Sequence, residues 1–162
     1  MVGYVLFSHG SLLCGAGAAL DRHADRLRHR LGLPVEIGYL NYSEPTFESG
    51  VAALASTGVR RVIVVPYFLA PGYFVGHSLP EKLSEARAAH PDLEFTVAEV
   101  LGADELLADA VLESARNAGP DPAVWRDVYA DAALRCRDRP DCPLYGGPHC
   151  PASTALYASD TL

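Results

Sequence analysis

The chain lacks a basic surplus: 13 Lys and Arg stand against 20 Asp and Glu, a formal net charge of −7. That field repels the phosphate backbone, so nucleic acid is not an expected partner. Long apolar runs are missing too. The richest, Val62 to Pro66 with its neighbours, falls well short of the roughly 20 residues a spanning helix needs. No basic region precedes an apolar stretch near the first residues. We therefore expect a soluble, cytoplasmic protein with no membrane partner. There is no internal repeat, no low-complexity segment, no nucleophile elbow and no phosphate-binding Walker loop, which removes two common classes of α/β enzyme. Cysteine is sparse, with four in 162 residues, and three of them crowd into the last quarter. The length favours one compact domain over two. With 49% hydrophobic and 20% charged residues, the chain can bury a core.

What is present is an alternation of strand-like and helix-like segments. Val2 to Ser8 is a run of β-formers, followed by a Gly-rich loop and a helical face at Leu20, Ala24, Leu27 and Leu31. Val35 to Asn41 repeats the pattern, with a helix marked by Ser43 and Pro45, faced by Phe47, Val51 and Leu54, and ended by Gly58. Arg61 to Phe68 is the most apolar segment and reads as a central strand, with Leu79, Leu83 and Ala86 in the helix after it. Phe95 to Leu101 gives a fourth strand, and Leu106, Leu107, Ala110, Val111 and Ser114 a fourth helix. Short connections between such units predict an α/β fold: an open, mostly parallel four-stranded sheet with helices on both faces. This domain is expected over residues 1–118. Residues 119–162 read as an irregular extension, with helical spacing only at Trp125, Tyr129, Ala132 and Cys136.

In such a sheet the ligand crevice lies outside the carboxyl ends of the strands. His9 follows the first strand, Asn41 and Glu44 the second, His77 the third, and Glu99 closes the fourth, whereas Arg60 and Arg61 lie at the opposite edge. Neutral imidazoles with a carboxylate suit a divalent metal such as cobalt, iron or nickel, and accept protons near neutral pH. The plainer alternative makes His9 a loop cap and His77 a solvated residue at a helix start. His23, His29 and His90 read as solvated. Gly15-Ala-Gly17 opens a helix after a strand, but Leu20 stands where a dinucleotide fingerprint needs its third glycine. The clustered cysteines, Cys136-x5-Cys142-x7-Cys150, supply three thiolates, with His149 or Cys14 available as a fourth ligand. An iron–sulfur cluster leads this reading, followed by zinc and then by free thiols.

Three segments together resemble a known family. They are Val5-Leu-Phe-Ser-His9-Gly-Ser11, Tyr39-Leu-Asn-Tyr-Ser-Glu44-Pro45, and Val62-Ile-Val-Val-Pro-Tyr-Phe-Leu-Ala-Pro-Gly72 with Leu79-Pro80. In this collinear order they resemble the short, single-domain sirohydrochlorin chelatases, which are class II and ATP-independent. The resemblance implies insertion of Co²⁺ or Fe²⁺ into a sirohydrochlorin-type tetrapyrrole, for cobalamin or sirohaem, by a homodimer. It makes His9 the metal-binding histidine and Glu44 the acidic residue before the proline. The family's second histidine falls at Phe74, and His77, three residues on, is expected about one helical turn away, facing the same cavity. His9 and His77 would hold the metal, while a neutral histidine or Glu44 takes the pyrrole protons. Amides and hydroxyls around Gly10, Ser11 and Ser78 would meet the substrate's carboxylates, and Tyr67, Tyr73 and Phe74 its ring. Two other readings compete with this one. One is a tetrapyrrole- or metal-binding protein without insertion activity, and the other is an iron–sulfur redox or regulatory protein on the same scaffold.

Overall fold

The computed structural model describes residues 1–11 and 17–119. Cys14, Cys136, Cys142, Cys150 and the whole extension from residue 120 lie outside the described residues, so the expectation of a cysteine-bound cluster has no structural counterpart here. Four strands, β1 (Val2–Ser8), β2 (Val35–Tyr39), β3 (Arg61–Pro66) and β4 (Glu94–Val97), form one sheet in the order β2-β1-β3-β4. Every pairing is parallel; Leu6 lies opposite Ile37 on one side and Val65 on the other.

Alternation along β1 supplies two cores. Val5 and Phe7 face one side, where α2 (Phe47–Ser56) and α3 (Leu79–Ala89) bury Phe47, Val51, Leu54, Leu79 and Leu83. Leu6 faces the other side and packs with Val35, Ile37 and Tyr39 against Leu20 and Ala24 of α1 (Ala18–Leu31). Burial on both faces is why these strands read as nearly continuous apolar runs. Lys82 ties α3 to α2, its Nζ 2.7 Å from Glu48 and 3.0 Å from Glu85.

Four local features differ from the sequence expectation. β2 ends at Tyr39, because beyond it only single bonds continue the ladder: Leu40 N–H donates to the Ser8 carbonyl and Asn41 N–H to that of His9. α2 begins after Thr46, whose hydroxyl accepts from the Ser49 amide at 3.2 Å, so the cap is Thr46 and not Ser43. β4 is short and stops at Val97. A fourth helix, α4 (Leu106–Arg116), forms where expected, yet none of its residues is buried, and Leu106, Val111 and Leu112 are exposed. Its neighbour among the described residues is the 3₁₀ turn Leu101–Ala103, so its apolar face contributes nothing to either core.

A candidate active site at the carboxyl edge of the sheet

β1 ends by sending Ser8 towards the α1 side, with His9 following at the edge. Gly10 then turns the chain at φ 87°, and a Cβ there would lie 1.8 Å from the Asn41 carbonyl oxygen. Only glycine supports both that conformation and that approach. The turn fixes His9, which is partly buried, with Nδ1 3.1 Å from the Gly10 carbonyl oxygen. A carbonyl only accepts, so in this hydrogen bond Nδ1 carries the proton and Nε2 keeps its lone pair. Metal-binding histidines are commonly oriented this way by a backbone carbonyl.

Aromatic rings surround that imidazole. Phe74 lies 4.3 Å from it between centroids, and Tyr42 meets it edge-on at 5.5 Å. Tyr42 holds a left-handed conformation at φ 62°, which a non-glycine residue adopts at a cost. Nothing in Asn41-Tyr42-Ser43 signals that geometry. Glu44, exposed and joined to Pro45 by a cis peptide bond, accepts the Thr46 amide at 3.0 Å. Its carboxylate is thereby anchored at the entrance to α2.

The structure does not bring His77 onto His9. Phe74–Ser78 is a π-helical turn leading into α3, with the Leu79 N–H donating to the Phe74 carbonyl, five residues back. This wider spacing turns His77 away from Phe74, three residues back, and its ring stacks instead on Tyr73, four residues back, at 4.8 Å. From His9 the rings run through Phe74 to Tyr73 and then to His77, which is exposed. Ser78 is partly buried at the end of this turn and makes no side-chain cap. Among the described residues no three His, Cys, Asp or Glu side chains form a metal-binding group.

Gly10, Ser11 and Tyr67 collect on the other side of β1, around a cavity of about 200 Å³ at the start of α1, with Ser8, Tyr39 and Ser43. Ser43 Oγ accepts the Ser11 amide at 3.0 Å and donates to the Ser11 carbonyl at 3.2 Å. His23 is exposed, as expected, but its ring lies edge-on to Tyr67 at 5.8 Å. Neither Tyr39 nor Ser43, the latter read only as a helix-start signal, was expected from the sequence to line a site. Tyr39 falls on the α1-facing phase of β2 at its last residue, a position that alternation alone points towards the crevice. Its hydroxyl is pushed up to about 12, first by burial and then by the negative charge of Asp21.

Known proteins share this chain's pattern. The CbiX family model matches residues 3–118. A sirohydrochlorin cobaltochelatase of Methanothermobacter thermautotrophicus is 30% identical over 132 residues, covering 72% of this chain and 92% of that protein. A sirohydrochlorin ferrochelatase of Bacillus subtilis is 27% identical over 142 residues, 78% of this chain but only 54% of its own length. The crystal structure of the sirohydrochlorin chelatase SirB from Bacillus subtilis subspecies spizizenii, in complex with cobalt, matches with a TM-score of 0.66 at 26% identity, over 86% of this chain and 63% of that one. A family match spanning most of the described fold, with a relative matched over nearly its whole length, places the chain in the CbiX family, that of the short sirohydrochlorin chelatases.

Proposed function

We propose that this protein inserts a divalent metal, Co²⁺ or Fe²⁺, into a sirohydrochlorin-type tetrapyrrole without ATP, as a step towards cobalamin or sirohaem. The observation that carries the reading is His9: an imidazole with Nδ1 bonded to a backbone carbonyl and Nε2 left as a ligand, set at the carboxyl edge among aromatic rings. Metal insertion requires a ligand that exchanges for water, a base for two pyrrole protons and a surface for a planar ring. His9 Nε2 is the ligand. Phe74, with Tyr73 beside it, is the apolar surface on which the macrocycle rests, and Tyr67 meets its periphery. Glu44 is the base, and it faces water, to which the protons pass. To serve as a second ligand His77 must first leave its stack on Tyr73, since the rings of Phe74 and Tyr73 stand between it and His9.

The catalytic unit is residues 1–118, with 119–162 as an extension. A second copy closes the open face over the macrocycle, in keeping with a chain that spans about half the length of the Bacillus ferrochelatase. The working location is the cytoplasm; no described helix is long and apolar enough to cross a membrane. An iron–sulfur cluster on Cys136, Cys142 and Cys150 is proposed from the cysteine spacing alone, and iron and sulfide analysis of anaerobically purified protein tests it.

Sirohydrochlorin, Co²⁺ or Fe²⁺ and anaerobic protein are mixed and the absorbance change of insertion is followed against a no-enzyme control. Insertion faster than the control, lost in His9→Ala and reduced in His77→Ala, is expected. No acceleration with either metal by folded protein overturns the proposal. Retained activity in His77→Ala removes only the second ligand.

A further inference from the structure

The cavity at the start of α1 contains a buried group that the insertion chemistry leaves unused. Tyr39 is 5% exposed, and its ring packs with Leu6, Leu20 and Ala24. Its hydroxyl emerges from that core into the cavity, close enough to Gly17 that a Cβ there would lie 2.5 Å away. Among the described residues nothing hydrogen-bonds this hydroxyl. A phenylalanine would fill the core equally well, so the hydroxyl serves whatever occupies the cavity, water included.

Gly17 is the N-cap of a 14-residue helix and has no side-chain cap. The Asp21 amide already donates to the Gly17 carbonyl at 3.0 Å. The amides ahead of it, those of Ala19 and Leu20 included, have no partner within the helix, and both residues line the cavity. Neutral donors and a helix dipole thus converge on one space, next to Ser8 and one residue from His9. At about 200 Å³ it holds several waters, at roughly 30 Å³ each, or one short carboxylate arm. Among the described residues no lysine or arginine lines it, and Asp21 nearby counts against any anion held by charge alone. The selection is therefore for a group that accepts several hydrogen bonds in one plane, as a carboxylate does.

We propose that this cavity binds a carboxylate arm of the substrate, with the Tyr39 hydroxyl and the first-turn amides of α1 as donors. Resting on the chelatase reading, it makes Tyr39 a specificity residue that positions the macrocycle while its centre lies over His9. The hydroxyl, held protonated by its surroundings, remains a donor throughout the neutral range.

Two probes separate this inference from the chelatase reading. Sodium acetate is titrated into isotopically labelled full-length protein, observing the amides of Gly17, Ala19 and Leu20, and sirohydrochlorin kinetics are measured in parallel, for wild type and Tyr39→Phe. Acetate should shift those amides in the wild type and much less in Tyr39→Phe, whose remaining spectrum reports its fold. KM for sirohydrochlorin should rise about tenfold, the loss appearing in KM rather than in kcat. Acetate shifts without metal insertion by the wild type would uphold the carboxylate site and overturn the chelatase reading. Insertion with an unchanged KM in Tyr39→Phe and no acetate shift would overturn the carboxylate site alone, leaving a water-filled cavity. Equal acetate shifts in both proteins would overturn the role of Tyr39.

Discussion

Phe74→His puts a second imidazole beside the first. The Phe74 ring lies 4.3 Å from His9, so a histidine in its place presents a ring nitrogen to the same space as His9 Nε2. Two opposing effects can be sized. Without metal, the variant loses apolar contact and aromatic pairing with Phe68, 6.2 Å away, and pairs of this kind contribute about 0.5–1.5 kcal/mol. Phe74 is only partly buried, so the total cost is about 1–2 kcal/mol, a fall in Tm of roughly 4–8 °C. With metal, a second nitrogen ligand is expected to tighten Co²⁺ binding about thirtyfold, which in excess Co²⁺ is worth about 2 kcal/mol more stabilisation than the wild type receives. The apo variant should therefore melt below the wild type, and Co²⁺ should close the gap. Thermal unfolding by circular dichroism with and without Co²⁺, under argon, measures both numbers. Identical Co²⁺-induced shifts in folded wild type and variant would refute the reasoning, because position 74 would then not face the metal.

Gly10→Ala should cost at least about 2 kcal/mol in urea unfolding, since left-handed φ is penalised and its Cβ meets the backbone oxygen of Asn41. Insertion activity should fall with it, as the same turn fixes His9; an alanine variant of unchanged stability and activity would contradict the turn. Glu48→Gln tests the tie between α2 and α3. Burial raises the Glu48 carboxyl, but hydrogen bonds from Lys82 and from its own amide, with the Lys82 charge, outweigh it and hold the group below its ordinary value of 4.5. A lowered folded value makes the stabilisation present above pH 4.5 and lost as pH falls through that lowered value. Both partners are partly solvated, so the difference between wild type and variant should be about 0.5 kcal/mol at pH 7 and shrink as pH falls through the lowered Glu48 value. A difference that persists below that value would assign it to something other than the charge pair.

The architecture was legible in the sequence because a parallel sheet buried on both faces leaves little room for other patterns. Val62 and Val64 face one core while Val65 packs against the other, so the run reads as one apolar block. The ends of the first three strands were legible to within two residues, while that of β4 was placed four residues too far; with the first came the position of His9, since the crevice of such a sheet has only one edge. The helix α4 was legible as a helix but not as an exposed one: apolar spacing records that a face is to be covered, not what covers it. Tyr39 was missed for the converse reason. Its ring reads as core, and only the packing of Gly17 against its hydroxyl reveals the polar end of the side chain opening into a cavity.

His77 shows where spacing stops carrying geometry. Placing it one turn beyond Phe74 assumes 3.6 residues per turn, and nothing in Phe74-Val-Gly-His-Ser78 signals otherwise. The bond from the Leu79 amide to the Phe74 carbonyl spans five residues, which widens that turn and shifts every side chain after Phe74 around the axis. Tyr73, four residues before His77, stacks against it, and of this turn only Phe74 lies against His9. π-Helical turns recur at functional sites because they turn side chains out of the helical phase, and this one sets an apolar ring against the imidazole of His9 while leaving that of His77 in water.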